Sequence, residues 1–175
     1  MIVLAFLIIL TILAFFADKF IRKHNVKIYI VATIISILAF ILQDKAFTTP
    51  IMQGFLGLSF FYIVMITGAI DKKYKIKAKF LGLRREYSII GFIVIAPHAL
   101  KYTLQGLNGT IALEWFGIIS FVLMIPLFVT SFLKIRRKMK AKTWNSIQSA
   151  AYIIYILLFI HLILNYTLKI NLILY

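Results

Sequence analysis

The sequence predicts an all-α fold: a polytopic membrane helix bundle with six transmembrane helices, forming a single integral membrane domain over residues 1–175. Three observations predict it. Hydrophobic residues make up 63% of the chain and charged residues 14%, with a mean hydropathy of +1.00; a soluble domain is roughly half apolar and a quarter charged. The apolar residues gather in long runs, and a bilayer core about 30 Å thick needs about 20 of them per helix. The 20 Lys and Arg, against 5 Asp and Glu, give a net charge of +15 but sit in short clusters between those runs. Charge placed in this way reads as membrane topology, not as a nucleic-acid surface.

The first span, 2–17, has no basic region before it, and Ala14-Phe15-Phe16-Ala17 makes a poor cleavage site, so it is expected as a helix and not a signal peptide. The second, 28–43, is similarly short, and both are expected to extend by a few flanking residues. Spans three to six are placed at 51–70, 87–104, 111–133 and 147–166. Pro97 and Pro126 fall inside spans four and five, where a membrane helix tolerates a kink and opens room beside it. Asn108-Gly109-Thr110, between those two spans, fits both a tight turn and a glycosylation sequon, and the turn is the expectation.

The cations alternate loop by loop. Lys19, Arg22, Lys23 and Lys27 follow span one, and Lys45 alone follows span two. Lys72, Lys73, Lys75, Lys77, Lys79, Arg84 and Arg85 follow span three, with Lys101 near the next connection. Lys134, Arg136, Arg137, Lys138, Lys140 and Lys142 follow span five, and Lys169 lies in the tail. The positive-inside rule makes the rich loops cytoplasmic and both termini extracytoplasmic, with anionic lipid headgroups as partners of the clusters.

The absence of cysteine excludes disulfides, thiolate nucleophiles, iron–sulfur clusters and covalently attached c-type haem. Of the three histidines, His24 lies in a basic loop and is assigned no role. His98 and His161 lie inside spans, where an imidazole needs a partner. His98 is 13 residues beyond Arg85 and His161 is 13 beyond Gln148, so each lies about 20 Å along its helix and their depths match. Matched depth suits two axial ligands of one haem iron, and bis-His ligation suits electron transfer because both iron positions are filled. Hydrogen bonds between helices explain the same residues without a cofactor. Lys101, one turn beyond His98, fits either a haem propionate or a lysine reaching the membrane boundary.

Three blocks carry a family resemblance. Leu83-Arg84-Arg85 is followed after 12 residues by His98; Pro126-Leu127-Phe128-Val129-Thr130-Ser131 is followed by Arg136-Arg137; and Trp144-Asn145-Ser146-Ile147-Gln148 is followed by Tyr152 and His161. Over about 51–166 the chain resembles the ferric reductase-like transmembrane family, most closely the haem-binding membrane subunits of periplasmic methionine-sulfoxide reductase systems. Helices 2–17 and 28–43 then stand as N-terminal additions. Where the family pattern carries a cytoplasmic-side histidine this chain has Gln148. The resemblance therefore implies one haem b, held by His98 and His161 with Lys101 beside it. It also implies electrons supplied by a separate reductase, quinol or flavin (FMN or quinone as intermediate donor) and passed to an extracytoplasmic oxidoreductase partner or ferric iron. No dinucleotide-binding glycine motif or P-loop occurs, so hydride chemistry would reside in a partner. The alternative is a haem-free membrane assembly or transport subunit that retains the family fold.

Overall fold

The computed structural model describes residues 2–173, with side chains up to residue 165; the side chains of Tyr166 and Lys169, counted above in the last span and the tail, lie outside the described residues. Among the described residues every regular element is helical. They are α1 (Ile2–Phe16), α2 (Asp18–Lys23), α3 (Asn25–Ile41), a 3₁₀ turn (Ala46–Thr48), α4 (Thr49–Met52), α5 (Phe55–Ala69), α6 (Lys75–Leu107), α7 (Trp115–Ser131), α8 (Leu133–Arg136) and α9 (Ala141–Ile173).

Each of the six expected spans is helical, but among the described residues three segments are long and apolar enough to cross a membrane: Ala46–Ala69, Lys75–Leu107 and Ala141–Asn165, of 24, 33 and 25 residues. The spans expected at 2–17, 28–43 and 111–133 form helices of 15, 17 and 17 residues. At 1.5 Å per residue these reach about 22–26 Å, short of a hydrocarbon core of about 30 Å. α1 breaks at Ala17, α3 ends before the polar Gln43-Asp44, and α7 ends on an extended residue, Phe132. The long helices overshoot instead. Lys, Arg and Ala are strong helix formers, so α6 begins at Lys75 and carries five of the cations expected in its preceding loop, and α9 begins at Ala141.

The chain divides into two compact units, Met1–Lys101 and Tyr102–Tyr175. In the first, Leu10 and Ala14 of α1, Phe60, Ile63 and Val64 of α5, and Phe80, Leu83, Tyr87, Ile90 and Val94 of α6 form the core. Glycines set the α5–α6 approach: a methyl on Gly57 would stand 2.7 Å from Ile95 Cβ, and one on Gly91 3.0 Å from Phe60 Cβ. Small residues at such contacts let backbones come close where dispersion, not water, drives helix association. The buried Tyr87 hydroxyl donates to the Leu10 carbonyl at 2.7 Å, joining α6 to α1, and its ring meets Phe60 edge-on at 5.2 Å. Pro50 enters α4 in its first turn, where a missing N–H costs nothing, and Gly54, at φ +76°, separates α4 from α5.

In the second unit α7 and α9 run antiparallel, with Gly117 against His161 at one end and Thr130 against Trp144 and Gln148 at the other. Ser120, Met124 and Ile154 are buried along the hairpin. Asn108-Gly109-Thr110 is a turn, as expected: Gly109 takes φ +71°, its N–H donates to Gly106 O, and Thr110 N–H donates to Gln105 O. This pairing satisfies carbonyls left open at the end of α6.

Candidate functional site

His98 and Lys101 lie one turn apart on α6 in the first unit, and His161 lies on α9 in the second. Each histidine has a built seat within its own unit. His98 Nδ1 donates to the Met52 carbonyl at 3.0 Å, where α4 ends. The turn of chain at Gly54 brings backbone against the imidazole, and a methyl there would meet the ring at 3.2 Å. A neutral imidazole that donates from Nδ1 to a carbonyl carries its lone pair on Nε2. Lys101 is partly buried beyond it.

His161 sits on the first turn of α7. Gly117 lies under its ring, so that a methyl there would stand 3.0 Å from Cε1 and 3.2 Å from Nδ1. Glu114, the residue before α7, places Oε2 3.5 Å from His161 Nδ1. Asn165, one turn beyond His161 on α9, donates from Nδ2 to the His161 carbonyl at 3.0 Å and to Glu114 Oε2 at 3.4 Å, and the same nitrogen is 3.2 Å from His161 Nδ1.

The other residues of the three sequence blocks gather where α7 ends. Trp144 Nε1 donates to the Thr130 carbonyl at 3.1 Å, satisfying an acceptor that a helix C-terminus leaves open. Arg136 lies over the Trp144 ring at 4.4 Å. Gln148 Nε2 donates to Thr130 Oγ1 at 3.0 Å and to Leu127 O at 3.3 Å, and Thr130 Oγ1 in turn donates to the Pro126 carbonyl at 2.7 Å. Gln148 therefore has a structural task, tying α9 to α7. His24 stacks on Phe20, with ring centroids 4.7 Å apart.

Sequence reasoning missed four features. Glu86 is buried in α6 and paired with Arg85, although the sequence presents it as the end of a basic loop. Met52 contributes a backbone carbonyl, which leaves no trace in a side-chain pattern. Glu114 and Gly117 form the seat of His161, yet stand 47 and 44 residues before it. The i, i+4 spacing of His161 and Asn165 is the one signal that was available. Among the described residues no group of three or more His, Asp or Glu side chains is gathered to hold a metal ion.

No family model matches the chain, and no solved structure matches it. A protein of Treponema pallidum (strain Nichols) described as uncharacterized is 32% identical over 124 residues, a match that covers 65% of this chain and 34% of that protein. The chain thus spans about a third of the length of that relative.

Proposed function

We propose that the chain is a b-type haem-binding membrane protein that passes electrons from a quinol or flavin donor to an extracytoplasmic acceptor. The observation that carries this reading is the second partner of each intramembrane histidine. His98 Nδ1 is engaged by the Met52 carbonyl and His161 Nδ1 faces the Glu114 carboxylate. Iron-ligating histidines are held in this manner, with one ring nitrogen on a carbonyl or carboxylate and the other bearing the lone pair. The donor chemistry of each residue, taken by itself, therefore fits ligation of a haem iron. A haem held by these residues would supply one-electron transfer.

In this reading Lys101 offers its ammonium to a haem propionate, and Gln148, already bonded to Thr130 and Leu127, holds no metal. All six apolar helices cross. The three short ones are accommodated by local thinning of the bilayer, at a cost of fractions of a kcal/mol per Å. The alternation of basic loops supports extracytoplasmic termini. The test is a reduced-minus-oxidised spectrum with a pyridine haemochrome assay on the purified protein. One low-spin haem b per chain is expected; its absence refutes the reading, and two per chain refutes the assignment of Gln148. A haem-free assembly or transport subunit is the second reading, favoured by the same contacts taken as helix ties: His98–Met52 and His161–Glu114 each satisfy an imidazole without a cofactor.

A further inference from the structure

Glu114, at the start of α7, stands at a ring nitrogen of His161. Its Oε2 gathers the His161 Nδ1 contact at 3.5 Å and the Asn165 Nδ2 contact at 3.4 Å, with its side chain about three-quarters withdrawn from solvent at 26% exposure. The amide has two hydrogens, and the His161 carbonyl and Glu114 Oε2 account for both. The same amide nitrogen lies 3.2 Å from Nδ1; the His161 tautomer with its hydrogen on Nδ1 faces the carboxylate at 3.5 Å and carries its lone pair on Nε2. Gly117 completes the arrangement, because any side chain there would push the ring off the α7 backbone: the methyl position is already 3.0 Å from Cε1.

We infer that Glu114 is a positioning residue for His161 that makes its imidazole a stronger electron donor and lowers the reduction potential of the iron it ligates. The inference rests on the haem reading above. A carboxylate at Nδ1–H raises the basicity of the opposite nitrogen. The ferric ion carries one more positive charge than the ferrous ion, so it gains more from the richer ligand and from the nearby negative charge. Reduction becomes harder.

The experiment compares the wild-type protein with E114Q, E114D, E114A and N165A, purified in detergent and loaded with haemin, by haem affinity and by spectroscopic redox titration, with far-UV circular dichroism as the check on folding. E114Q keeps a hydrogen-bond acceptor and loses the charge. It should retain low-spin haem at a higher potential, and each tenfold loss of preference for ferric over ferrous haem is read as about 59 mV. E114A should also lose haem affinity by about 10–100-fold, the usual effect of removing such a partner. E114D draws the charge back by one methylene, and N165A releases the carboxylate from its second contact. Both should move the potential in the same direction by less, so the inference stays testable if E114Q does not fold. Unchanged potential and affinity in folded E114Q would overturn it and leave Glu114 as a tie at the start of α7. Failure of the haem reading looks different: the wild-type protein takes up no haem, or H161A keeps a full low-spin spectrum, and either result overturns both.

Discussion

Gly57→Ala tests whether close approach of α5 and α6 holds the first unit together and keeps His98 in its seat. The added methyl would stand 2.7 Å from Ile95 Cβ, 2.8 Å from Ile95 Cδ1 and 3.1 Å from Ile95 Cα. Two of these three atoms cannot swing away, since one is backbone and the other the branch point of a stiff side chain. The helices must therefore separate locally, and overpacking of this kind costs about 1–3 kcal/mol. Replacing a helical glycine by alanine returns at most about 1 kcal/mol, so the clash wins. Gly68→Ala in the same helix is the control, because nothing lies within 4 Å of its methyl position. Equilibrium unfolding in mixed detergent micelles, followed by circular dichroism, should show G57A destabilised by about 1–2 kcal/mol and G68A unchanged or slightly stabilised. Adding I95A should rescue only in part, since Ile95 Cβ and Cα remain. A G57A protein as stable as G68A would refute the packing argument, and with it the account of how Met52 and Gly54 are held against His98.

H98A and H161A should each abolish the low-spin haem spectrum, with the double variant no worse than either single one, as expected of coupled residues; a full low-spin spectrum in either single variant would turn the search to the five methionines. Gln148→Ala should lower stability by about 0.5–1.5 kcal/mol through loss of its bonds to Thr130 and Leu127, and leave haem content unchanged. Cysteines at the exposed positions Lys72 and Lys138 should be shielded from an impermeant thiol reagent in intact cells, while one at Asn108 labels; the opposite pattern would invert the orientation. Desolvation pushes the Asp18 carboxyl up, but Lys79 at 3.2 Å and Arg22 at 3.2 Å together hold it below the ordinary value of 3.8. A carboxyl lowered by folding stabilises the fold above its unfolded value and loses that effect as pH falls through the folded one, so a pH titration of stability below about 4 should be flatter in D18N than in the wild-type protein.

What the sequence determined by itself is the class of the protein: an apolar, all-helical chain whose six hydrophobic runs each become a helix. It determined as well that His98 and His161 are the anomalous residues, because an imidazole inside an apolar run needs a partner wherever the helix goes. These conclusions depend on composition and local periodicity, which act within a few residues. Tertiary structure decided the rest. Charged residues such as Lys75 and Lys79 read as loop by polarity, yet they extend α6 because helix propensity and packing are indifferent to the hydropathy of a residue that leaves the core. Glu86, next to Arg85 at the edge of a basic cluster, is buried, and nothing local marks it. The partners of the two histidines were the least legible. Met52 acts through a carbonyl every residue possesses, and Glu114 and Gly117 reach His161 only because α7 and α9 pair antiparallel. A contact between groups more than 40 residues apart follows from how helices pack side by side, and no spacing along the chain encodes that.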